Sequence, residues 1–248
     1  MKFHADRLHL ISRQILDVTA NEQAIAYAAQ AEKDTKAAGS SFASFYFCDW
    51  ESLRSRPISE GAYLQLKFGE AGAYAADCLG EIFTCRAARL PDGGCAVLSA
   101  DAKLRLFRPG GRLGACFPLE YRGTGAYDIA GDSGNLWFTA PAQNALALFS
   151  LQAREIALRV GGPGVFARPG GVFLQGHSLF VCCSPGGGPE SGGEVKTMLL
   201  PSCDLGETLP VELPPEKYFA VFRRAFLWAE GALYAILHPE FRIGGDHV

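Results

Sequence analysis

None of the eight cysteines forms a Cys-x-x-Cys pair, and no Cys/His cluster has the spacing of a structural zinc site. The chain also lacks a block of like charge. Its 23 basic and 26 acidic residues leave a net charge of −3, so it has no electrostatic footprint for nucleic acid. No apolar run reaches membrane-spanning length. The most apolar stretch, from Tyr218 to Leu237, is broken by Arg223, Arg224 and Glu230. The start, Met1-Lys2-Phe3-His4-Ala5-Asp6-Arg7, has no apolar core of signal-peptide length. These absences predict a soluble cytoplasmic protein with neither a nucleic-acid nor a membrane partner.

Catalytic signatures are missing as well. The five histidines are His4, His9, His177, His238 and His247, and around His177 no acid and nucleophile complete a triad that sequence can show. His177 belongs to a hairpin turn, Gln175-Gly176-His177-Ser178. The stretch from His238 to His247 carries two carboxylates but matches no defined ligand spacing, and it reads as a solvated tail. Gly186-Gly187-Gly188-Pro189-Glu190-Ser191-Gly192-Gly193 lacks the Lys-Ser/Thr of a phosphate loop. We therefore expect no catalytic, cofactor or metal set that sequence can identify. The cysteines fall in apolar runs such as Ala115-Cys116-Phe117 and Val181-Cys182-Cys183. They are expected to be buried free thiols in a reducing compartment.

What the chain does have is a recurring turn and strand. In Gly131-Asp132-Ser133-Gly134-Asn135-Leu136-Trp137-Phe138-Thr139-Ala140, a tight polar turn runs into an apolar strand. Copies stack on Ile25, Cys95, Leu136, Leu179 and Leu233. The 95-to-136 and 136-to-179 intervals fit a blade period of ~40–50 residues. The third copy reads as strands Tyr127–Ala130, Leu136–Ala140, Ala145–Ser150 and Ile156–Val160. Pro91-Asp92-Gly93-Gly94 and Pro109-Gly110-Gly111 supply hairpin backbone angles in the second, which begins with Ile82–Leu90. Residues 20–38 are Ala-rich, and Thr19-x-x-Glu22 fits a helix capping box. Period-two alternation at Ile25/Tyr27 and Phe45/Phe47 favours strands instead. A fourth strand of that unit is expected near Tyr63–Phe68. Trp50, Trp137 and Trp228 are expected to pack between blades.

Gly134-Asn135-Leu136-Trp137-Phe138-Thr139-Ala140-Pro141, with Asn144 and Leu148-Phe149-Ser150, resembles one repeat of the NHL and virginiamycin B lyase type of propeller. The resemblance implies architecture more than activity. That lyase family uses a magnesium site of acidic and histidine residues, and no motif here carries those ligands. In the related gluconolactonase-like family a metal sits on acidic and Asn side chains along the channel. Asn135 lies in the turn and does not supply that set.

The expectation is an all-β chain, with residues 1–248 forming a single β-propeller of about five four-stranded antiparallel blades. The last unit, Phe226–Ala229 and Ala232–His238, runs out of chain, so the N-terminal run Phe3–Ile11 should close the ring. The favoured function is a binding or interaction scaffold for a protein or small-molecule partner. The alternative is a small propeller hydrolase or lyase with a divalent metal in the central channel. The longest polar insertions, Gln30–Ser41 and Ser184–Gly193, each join a second to a third strand, so both should rise from one face. They supply the candidate binding residues Glu32, Lys33, Asp34, Lys36, Glu190 and Ser191.

Overall fold

A computed structural model of the chain describes residues 8–21, 25–31, 42–50, 52–72, 82–99, 101, 103–119, 128–131, 134–184, 192–221 and 224–236. Among these residues, twenty strands form five four-stranded antiparallel sheets arranged as a five-bladed β-propeller. The first strand of the chain, β1 (Leu8–Ser12), does not belong to the first blade. It pairs with β20 (Ala232–Ile236) as the outermost strand of the fifth, through Leu8↔Ile236 and His9↔Ala235. The expected N-terminal closure is therefore present. It joins the two chain ends into one sheet, which leaves the ring without an open seam.

The first blade runs outward from β2 (Ile15–Ala20) through β3 (Ile25–Gln30) and β4 (Ala43–Cys48) to β5 (Ser55–Ile58). The second holds β6 (Arg86–Arg89), β7 (Cys95–Leu98), β8 (Lys103–Phe107) and β9 (Leu113–Pro118). The third holds β10 (Ile129–Gly131), β11 (Asn135–Ala140), β12 (Ala145–Ser150) and β13 (Glu155–Gly161). The fourth holds β14 (Pro169–Gln175), β15 (Ser178–Cys183), β16 (Gly193–Leu199) and β17 (Asp204–Val211). In the fifth, β18 (Pro215–Val221) is innermost, followed by β19 (Arg224–Ala229), β20 and β1. The region at 25–30 is strand, as its alternation predicts. Ile25 to Ala29 are all buried, because this strand is covered on both faces.

Three expectations are corrected. Tyr63–Phe68 is not a strand: it lies in helix α1 (Glu60–Phe68), and β5 is the fourth strand of its blade. Ser59 caps the helix by accepting from the Ala62 N–H, with Glu60 in the first turn and Lys67 in the last. Tyr63, Leu64, Lys67 and Phe68 then form one buried face at helical spacing. The copy stacked on Leu233 is also one strand out of step. Leu233 is in β20, a third strand, while β19 occupies the second position, so the step from Leu179 to Leu233 spans more than one blade period. With β18 as the inner strand, the last blade needs only one strand from the N-terminus. Finally, Ile82–Leu90 shortens to β6, as turns occupy 82–84.

The core lies between blades. Phe180 meets Tyr218 at 5.2 Å and Phe173 meets Phe219 at 5.5 Å between blades four and five. Phe117 and Phe149 meet at 5.4 Å between blades two and three. Trp137 is buried between blades three and four, Trp228 in the cluster that joins blades four, five and one, and Trp50 packs against the latter. Among the described residues, seven cysteines are free thiols, with Cys48, Cys85, Cys95, Cys182 and Cys183 buried. Cys116 is exposed, contrary to expectation, because the outer strand β9 has no neighbour on its far side. Cys78 lies outside the described residues.

Candidate functional site

Five inner strands converge on the axis, and their side chains line a central cavity of about 230 Å³. Its wall includes Asp17, Thr19, Lys67, Arg86, Arg89 and Lys217. They come from β2, helix α1, β6 and β18, and the tertiary fold brings these four elements together.

Asp17 sits inside an apolar strand, opposite the small Ala28, and is 1% exposed. A carboxylate held this far from water needs partners. Helix α1 supplies two from adjacent turns. Tyr63 Oη donates to Asp17 Oδ2 at 2.9 Å, and Lys67 Nζ donates to the same oxygen. Lys67 also donates to the Ile82 carbonyl at 2.7 Å. From the second blade, Arg86 places a guanidinium nitrogen 3.6 Å from Asp17 Oδ1. Its guanidinium carbon lies 5.6 Å from the centre of the Trp228 ring, on the fifth blade. Asp17 thus ties helix α1 and the first two blades together. Burial draws the pKa of Lys67 below the ordinary lysine value, with the charge on Asp17 acting against it. Burial also raises the Tyr63 phenol well above its usual value, helped by the Asp17 charge.

A second buried carboxylate does the same for the other blades. Asp128, just ahead of β10, is 1% exposed. Its backbone N–H donates to Thr139 Oγ1 at 3.0 Å, which fixes the turn into the strand. Asp128 Oδ2 accepts from the Val172 N–H of blade four at 2.8 Å and pairs with Lys217 Nζ of blade five at 2.7 Å. Its Oδ1 is buried and has no partner among the described residues. Trp228 Nε1, a donor, is likewise buried and unpartnered.

A divalent metal does not fit this set. Each carboxylate is already met by cations, and the described residues contain no group of three or more His, Cys, Asp or Glu side chains able to hold a metal. The residues expected to bind, Glu32, Lys33, Asp34, Lys36, Glu190 and Ser191, lie outside the described residues. The strands that carry them are described. β3 and β15 are second strands, and β4 and β16 are third strands. A meander reverses at every turn, so the strand ends that carry both insertions lie on one face of the ring. Asp17, Arg86 and Lys217 lie near the starts of their inner strands, and Asp128 just before its own, which is the end belonging to that same face.

Sequence reading missed the channel charges, although a signal existed. Asp17 interrupts Ile15-Leu16 and Val18, and Asp128 precedes Ile129-Ala130. A single charge embedded in an apolar strand marks a buried polar group that must have a partner.

No family model matches the chain, and no curated protein matches it in sequence. Solved structures do match in shape. A streptogramin B lyase structure aligns over 95% of this chain and 96% of its own, at 10% identity and a TM-score of 0.52. A catalytically inactive virginiamycin B lyase from Staphylococcus aureus, with quinupristin, aligns over 89% of this chain and 65% of its own, at 12% identity and a TM-score of 0.46. Kuenenia stuttgartiensis hydrazine synthase aligns over 92% of this chain at 11% identity and a TM-score of 0.46, and this chain spans only 58% of its length. At such identity the likeness is one of fold. The likeness to the streptogramin B lyase structure agrees with the propeller resemblance read from residues 134–141.

Proposed function

We propose that residues 1–248 work as one β-propeller binding scaffold whose partner engages the face carrying the two long insertions. The observation that supports this is topological. Both insertions join second to third strands, so ~150 residues of sequence separation collapse onto one rim. This reading assigns the partner contacts to Glu32, Lys33, Asp34 and Lys36 of one insertion and Glu190 and Ser191 of the other, polar residues of both charge signs. A protein or a small molecule is suited to such a rim, and the scaffold needs no cofactor. The scaffold is read as cytoplasmic, in keeping with its unpaired thiols.

The test is photo-crosslinking with a reactive residue at Glu32 or Glu190, compared with one at His177. The β14–β15 turn that holds His177 is on the opposite face. The scaffold reading expects a discrete adduct from the insertion positions and none from His177. Equal adducts from both faces, or none from the insertions, would overturn it.

A further inference from the structure

We propose that the central channel is a binding site for a small anion, a carboxylate or a phosphate. This goes beyond the insertion-face reading and stands without it. Among the described residues of the wall, Lys67, Arg86, Arg89 and Lys217 face only one carboxylate, Asp17. Asp128 is set just behind, as the partner of Lys217. Four cations against two carboxylates leave an excess of two positive charges around a cavity that is partly open to solvent. A cavity with walls of one dominant sign concentrates counter-ions.

The donors also outnumber the acceptors. Each innermost strand is the edge of its sheet and presents backbone N–H groups to the axis. Asp128 already shows how an anion is held there, with one oxygen on the Val172 N–H and on Lys217 Nζ. A ligand carboxylate or phosphate would repeat that pattern on neighbouring edges, within reach of Arg86. Arg86 itself is held in place over the Trp228 ring. Volume limits the guest. At about 230 Å³ the cavity is below the ~300 Å³ at which pockets for larger ligands begin. The fit is to inorganic phosphate or a short dicarboxylate.

The experiment is isothermal titration of the full chain with inorganic phosphate and, separately, with succinate. Sodium chloride of equal ionic strength and neutral erythritol serve as controls. We expect saturable 1:1 binding of at least one anion and none of erythritol. Arg86→Gln should weaken it at least tenfold. Because Arg86 also meets Asp17, a second variant avoids the ion pairs: Thr19→Asp places a fixed negative charge on the wall and should abolish binding while the thermal midpoint is kept. Binding of phosphate alone, or of succinate alone, supports the site and identifies the headgroup. No heat above the chloride control at ~10 mM anion overturns the proposal, since even millimolar affinity would register there. So does binding that survives Thr19→Asp.

Discussion

Replacing Asp17 by alanine should be among the most damaging single changes in this protein. The side chains of Asp17 and Lys67 are 2% and 4% exposed, so neither charge is screened by water. Removing one member of a buried pair leaves the other charge uncompensated, at a cost of about 3–5 kcal/mol. Tyr63 Oη loses its acceptor in the same step. For a fold whose total stability is of order 5–15 kcal/mol, that is a large share. The cost has a built-in limit. Lys67 already has a lowered pKa through burial, and without Asp17 it escapes the penalty by shedding its proton. The loss should therefore shrink as pH rises and Lys67 gives up its proton. Asp17→Ala/Lys67→Met removes both charges and should recover most of the loss, with a coupling of about 2 kcal/mol or more. Urea unfolding followed by tryptophan fluorescence measures each variant, provided that the m-values agree. A loss under ~1 kcal/mol for Asp17→Ala, or a double variant as unstable as the sum of the singles, would refute the reasoning.

A contrasting case is Asp101, whose carboxyl is held well below the usual carboxylate range by Arg105 first and then Ser99. Its side chain is 42% exposed, so Asp101→Asn should cost less than ~1 kcal/mol in urea unfolding, and less again in high salt. Alkaline stability should be governed by the buried thiols. Burial pushes Cys48 up to about 11, and Cys95 and Cys183 up to about 12, from 9.0. The folded state keeps protons that the unfolded state releases, so this stability is intact below pH 9 and is lost as pH rises through 11 to 12. Each thiol loses ~1.4 kcal/mol per pH unit in its window. Denaturation curves from pH 8 to 11 should show the decline, and Cys95→Ala should make it shallower; a flat profile contradicts the burial argument. Gly171→Ala tests the closeness of blades four and five. A Cβ there would lie 2.2 Å from the Glu216 carbonyl oxygen and 2.8 Å from the Lys217 Cα, so backbone must shift. We expect a loss of about 1–3 kcal/mol by thermal or urea unfolding, and a variant as stable as the parent would mean that the blades can separate freely.

The blades themselves were legible because their causes are local. Turn residues and period-two apolar strands such as Asn135–Ala140 and Ala145–Ser150 announce antiparallel hairpins within a few residues of each other. Counting strands against the end of the chain was enough to send the N-terminal strand to the last sheet. Helix α1 was misread because its apolar residues suit either period over so short a run. The Ser59 cap and the packing of Tyr63 and Phe68 against the blades decide for helix. The innermost strand of the last blade was misplaced for a related reason: Lys217 looks like a surface residue until Asp128, 89 positions earlier, is beside it. The channel belongs wholly to tertiary structure. Asp17, Lys67, Arg86, Asp128 and Lys217 have no informative spacing along the chain. Local patterning determines which face of a strand is apolar, but only closure of the ring determines which buried charges meet at its axis. Their pairing is a matter of distance in space, and sequence periodicity does not encode it.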